Sequence, residues 1–174
     1  MSGHSKWKTI RHKKDATDQK RGKTFSKLLA AISIAAKGEP NPDFNPRLRT
    51  AVQKAKEANV PQDNIERAIK KSSEQKELEE LTVEAYGPEG VAIIISLISD
   101  NRNRTIPEVK KILSDHNAKW AGEGSVKWAF ELINNEWQAK LRQDISDEAK
   151  EKLRELIEAL EEHDDVQGVY INAN

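Results

Sequence analysis

The chain has 174 residues, no cysteine, and 29 basic against 29 acidic side chains; that length suits one domain or two small ones. The missing cysteine excludes disulfides, thiolate metal sites and cysteine nucleophiles, and fits a reducing cytoplasm. The charge is zero overall but unevenly placed: residues 1 to 28 carry nine Lys or Arg and two acids, a net +7, and residues 136 to 174 carry eleven acids and five basic residues, which points one end at a polyanion.

The chain opens with "MSGHSKWKTIRHKKDATDQKRGKTF". No long apolar run follows the charges as a secretory signal requires, and the acids argue against a transit peptide. The segment is therefore expected to stay in the working protein. Nothing in the sequence approaches the ~18 apolar residues of a membrane span, so no membrane partner and a cytoplasmic location are expected.

"TFSKLLAAISIAAK" (24 to 37) spaces Phe25, Leu28, Leu29, Ile32, Ala35 and Ala36 as one face of a helix, with Gly38 as its stop. After the turn-rich "GEPNPDFNP", Asn45 is a natural cap and Pro46 a natural first residue for a second helix carrying Leu48, Ala51, Val52 and Ala55 inward. Pro61 opens a third helix with Ile65, Ala68 and Ile69 inward, and "KKSSEQKELEE" reads as helix end and linker.

From Leu81 the period changes. "LTVEAY" alternates, "YGPEG" is a turn, and "GVAIIISLIS" is a β-branched run suited to a strand covered on both faces. "RTIPEVKKIL" starts a helix to about His116, with Thr105 and Glu108 at capping-box spacing. "SVKWAFEL" alternates with Val126, Trp128, Phe130 and Leu132 on one face, which makes Trp128 core. "EWQAKLR" alternates again, and Asn134-Asn135 between them suits a hairpin turn. A helix over 147 to 162 and the strand "VQGVYIN" close the chain. The expected fold class is α+β: a basic arm and three-helix bundle over 1-78, and an antiparallel-sheet domain of split βαβ, ferredoxin-like type over 79-174.

No phosphate-loop, dinucleotide-turn, HExxH or GxSxG signature occurs, so no enzyme, no cofactor and no small-molecule substrate are expected. His163, Asp164 and Asp165 could hold a metal or form a solvated acidic turn, and the acidic turn is the preferred reading, with no metal. The basic arm carries the binding expectation: Lys6, Lys8, Arg11, Lys13, Lys14, Lys20, Arg21 and Lys23 can neutralise phosphates and release counterions. His4, Ser5, Trp7 and His12 lie among them, and an indole or imidazole offers a face for an unpaired base. Trp7 could instead dock on the bundle, and Trp120 could be core or surface. Arg102 and Arg104 in "DNRNRT" stand at a helix start, where they would add phosphate contacts or pair with Asp100 in a surface turn.

The blocks "GHSKW" (3 to 7), "KRGKTFSKL" (20 to 28), "NPRLRTAVQKAKEANVPQDNIERAIK" (45 to 70), "YGPEGVAI" (86 to 93), "DNRNRT" (100 to 105), "GSVKWAFE" (124 to 131) and "DDVQGVY" (164 to 170) resemble the YebC family, in order and over nearly the whole chain. The resemblance implies a gene-expression factor. Members are described as DNA-binding transcriptional regulators, or are linked to translation and relief of stalling at proline-rich stretches, as is the mitochondrial translational activator of cytochrome c oxidase. The expected function is thus a non-enzymatic, monomeric, ribosome-associated factor binding ribosomal RNA or tRNA, with a regulator of duplex DNA as the alternative. Members also carry a further domain where this chain has only Leu132 to Glu136 between Glu131 and Trp137.

Overall fold

The computed structural model describes residues 18–74 and 78–174. These fall into two compact units. One holds the described residues through Glu80 together with Ile98–Arg102; the other holds Leu81–Leu97 and Asn103–Asn174.

The first unit is built on three helices, α1 (Asp18–Ala35), α2 (Pro46–Glu57) and α3 (Gln62–Lys71). Ile32, Ala36, Leu48, Ala55 and Ile65 are fully buried between them, as the 3.6-residue spacing requires. α1 is already helical at Asp18, ahead of the expected start at Thr24. Lys, Arg and Gln are good helix formers, and Gly22 alone opposes them there. Gly38 takes φ 86°, a left-handed turn past the helix end. Asn45 does more than cap α2. Its Oδ1 accepts from the Leu48 N–H at 3.0 Å, and its Nδ2 donates to the carbonyls of Ala35 at 2.7 Å and Glu39 at 2.8 Å. One side chain therefore satisfies the start of α2 and the end of α1 together. The buried Ser33 hydroxyl donates to the Ala68 carbonyl at 3.0 Å and ties α1 to α3.

The second unit is built on a sheet in the order β3-β1-β2-β6, of β1 (Glu79–Tyr86), β2 (Ala92–Ser99), β3 (Lys119–Ala121) and β6 (Val166–Ile171), with Glu79–Glu80 and Ile98–Ser99 counted in the first unit. β1 and β3 pair antiparallel, as do β2 and β6. Helix α4 (Arg102–Asp115) carries the chain from β2 over β1 to β3, a split βαβ connection, and α5 (Asp147–Glu161) precedes β6. The molecule is thus α+β with antiparallel sheets. Ile93, Ile95 and Leu97 of β2 pack with Val109, Leu113 and Leu153 of the helices. Ala92 and Ile94, on the opposite face, pack with Val126, Ala129 and Phe130. The β-branched run is covered on both sides, as its lack of alternation implied.

Three local expectations are corrected. First, "SVKWAFEL" is not one strand: Lys127–Ala129 is a 3₁₀ turn, and β4 (Phe130–Ile133) with β5 (Glu136–Ala139) forms a separate two-stranded ribbon. A 3₁₀ turn repeats every three residues, so Val126 and Ala129 take the inward places. Trp128 is left 62 % exposed and Leu132 54 % exposed. Second, the main-sheet strand lies instead at Lys119–Ala121, between the expected helix end near His116 and "SVKWAFEL". Third, Thr105 is no cap, because α4 begins at Arg102 and buries Thr105 inside the helix. The Asn-Asn turn does appear, with φ 51° at Asn134 and 63° at Asn135.

Candidate nucleic-acid interface

His4, Ser5, Lys6, Trp7, Lys8, Arg11, His12, Lys13 and Lys14 lie outside the described residues. Lys20, Arg21 and Lys23 are on the first turns of α1, where Lys20 and Arg21 are exposed and Lys23 is half-buried. Spacings of three and four put Lys20, Lys23 and Lys27 on one stripe, turned away from the stripe of Phe25, Leu29, Ile32 and Ala36. Sequence reasoning missed Lys27 as a member of the set; the helical register starting at Asp18 is the signal that adds it.

Arg102 is exposed at the first residue of α4. Arg104 is held by Asp165, an acid not weighed as its partner from sequence: its guanidinium donates to Asp165 Oδ2 at 2.6 Å. The Thr105 hydroxyl donates to the same oxygen. Asp165 N–H donates to His163 Nδ1 at 3.1 Å, which leaves Nε2 to donate to Glu108 Oε2 at 2.7 Å. Five side chains thus knot the start of α4 to the start of β6. His163 and Asp165 are used up in that knot, and among the described residues no group of three or more His, Asp or Glu is placed to hold a metal.

A second polar centre was not anticipated. Glu84, 3 % exposed on β1, accepts from the backbone N–H groups of Gly124 at 2.6 Å, Val126 at 2.7 Å and Lys127 at 3.0 Å. Burial pushes its carboxyl up, but these three N–H groups and the Lys127 ammonium 3.8 Å away outweigh that and hold it below the usual carboxylate range. The loop it grips ends in a carbonyl, that of Ser125, which accepts from both the Trp128 indole N–H at 2.7 Å and the Tyr86 hydroxyl at 3.2 Å. The signal available in sequence was a Glu set between Val83 and Ala85 in the alternating "LTVEAY". Trp120 is surface, on β3 at 39 % exposure, with the Lys110 ammonium 4.5 Å from its ring centroid.

Among the described residues no helix is long and apolar enough to cross a membrane. The fold and its polar centres define a class: an α+β protein pairing a small helical unit, whose first helix begins in cations, with an antiparallel-sheet unit. The chain belongs to the TACO1/YebC family. Residues 5–75 match the model of the family's N-terminal domain, and residues 78–134 and 130–173 match that of its second and third domains. Probable transcriptional regulatory proteins of Trichlorobacter lovleyi and Geobacter sulfurreducens are each 53 % identical over 135 residues, 75 % of this chain and 55 % of theirs. The chain therefore spans about half the length of these relatives. The crystal structure of a conserved hypothetical protein from Aquifex aeolicus superposes with a TM-score of 0.85 at 33 % identity, over 95 % of each chain.

Proposed function

We propose that this protein is a non-enzymatic, cytoplasmic gene-expression factor that binds nucleic acid, and that its target is ribosomal RNA or tRNA on the ribosome. The observation that carries the reading is the cationic stripe of Lys20, Lys23 and Lys27 on α1, with Arg21 beside it, inside a segment of net charge +7. Such a stripe meets a phosphate backbone and releases its counterions without reading sequence. Arg102, exposed at the start of α4, adds a further cation. No helix with base-reading side chains stands out among the described residues, which favours looped RNA over duplex DNA. Relief of stalling at proline-rich stretches is the task the family resemblance supplies. The two segments matched to the second and third family domains meet at residues 130–134, so the β4–β5 ribbon is where the additional domain of longer relatives would be inserted.

The second reading, a transcriptional regulator of duplex DNA, is favoured by the names of the relatives. Sucrose-gradient sedimentation of a cell extract separates the two. The translation reading expects the protein in ribosomal fractions and its release by salt. Its absence there, together with tight sequence-specific binding to duplex DNA, makes it the regulator.

A further inference from the structure

We infer that the surface around Ser125 is a second nucleic-acid site, a stacking platform that takes unpaired bases of single-stranded RNA on Trp128 and Tyr86. The choice of RNA over other single strands rests on the proposed function; the platform itself rests on geometry. A ring that binds bases must show a face and must not swing. Trp128 is 62 % exposed and Tyr86 38 % exposed, yet both polar tips are fixed on one acceptor, the Ser125 carbonyl. That carbonyl is itself fixed. The N–H groups on either side of it, of Gly124 and Val126, both donate to the buried Glu84 carboxylate, and Ser125 N–H donates to the Gly122 carbonyl at 3.1 Å. The rings are therefore held before a ligand arrives, which lowers the ordering cost of binding.

The charges beside the rings favour a polyanion. Lys119 is the register partner of Tyr86 across β1 and β3, and it is exposed. Lys140, also exposed, donates its N–H to the carbonyl of Ala129, the residue after Trp128. Lys127 adjoins Trp128 in the chain, but its ammonium is paired with Glu123 at 3.7 Å and Glu84 at 3.8 Å, so Lys119 and Lys140 supply the positive charge beside the rings. Two flat faces beside two exposed lysines match the pattern of aromatic stacking with backbone neutralisation that single strands use. A protein partner on the same rings would have little use for that excess of positive charge.

The test is fluorescence anisotropy of the full chain with labelled oligouridine of roughly twelve nucleotides, a length within known single-strand site sizes, and with an RNA duplex. Trp128→Ala is expected to weaken oligouridine binding by about 5- to 100-fold, the range for losing one stacked base. Duplex binding and the salt slope should stay as in the parent protein, and Trp128→Phe should retain most of the affinity. Oligouridine affinity unchanged in Trp128→Ala, with its melting temperature intact, overturns the platform. So does a Trp128→Ala protein whose sedimentation shows loss of a dimer present in the parent, which would make the rings a contact between copies. Failure of the protein to reach ribosomal fractions overturns the translation reading alone, because it leaves the oligouridine result standing.

Discussion

The first turns of α1 present ammonium groups on long, flexible stems, whereas the surface around Ser125 presents two rings on a fixed carbonyl. Charge of the first kind acts over a Debye length, about 8 Å at physiological salt, and tolerates imprecise placement. Stacking of the second kind acts only at contact and depends on orientation. The difference shows in what each region needs from the rest of the chain. The stripe needs only a helix in register. The platform needs Glu84, 42 residues away from Val126 in sequence, to hold the loop from beneath.

The largest expected effect follows from that dependence. Glu84→Ala strips three backbone N–H groups of their acceptor in a buried site and should cost about 3 to 5 kcal/mol of stability, read by urea unfolding. A loss below about 1 kcal/mol would mean that the loop holds itself. The same carboxyl gives a pH signature. Its folded-state pKa is depressed, so its contribution is fully present above the unfolded value of about 4.3 and is lost as pH falls through the folded one. The fall in melting temperature over that acid window should be shallower in Glu84→Gln than in the parent. Equal slopes would assign the acid sensitivity to other carboxylates.

The comparison sharpens at α1. Replacing Lys20, Lys23 and Lys27 together with Ala should flatten the salt dependence of binding by roughly two to three log units per log unit of salt, for single strand and duplex alike. At physiological salt that is on the order of a hundredfold in affinity. A selective loss on single strands would instead transfer a reading role to α1. The smallest effect concerns how α1 is held. Asn45→Ala removes one cap and two carbonyl contacts and should cost about 1 to 2 kcal/mol. Proteolysis should then open the helical unit first. Unchanged protection of that unit would show that its apolar core alone positions the stripe.

Where a rule is local, the sequence was legible. Asn45, Pro46 and Gly38 punctuate the helices as capping and left-handed turns demand, and the apolar run of β2, broken only by Ser96 before its terminal Ser99, announced burial on both faces. Where two distant segments compete for one group, it was not. Thr105 and Glu108 have capping-box spacing, yet Thr105 reaches Asp165 and Glu108 takes His163, partners about sixty and fifty-five positions away. Trp128 has the alternation of a core residue, but one 3₁₀ turn shifts the period and turns it outward.

By itself the sequence determined the helical faces, the turns and the concentration of cations at one end, because each follows from nearest neighbours or from composition. Tertiary structure alone decided which short segment joins the main sheet, which acid holds Arg104, and that Glu84 fixes the carbonyl on which Tyr86 and Trp128 rest. A buried carboxylate takes the N–H groups that the completed fold brings within reach, and no local pattern names those donors in advance.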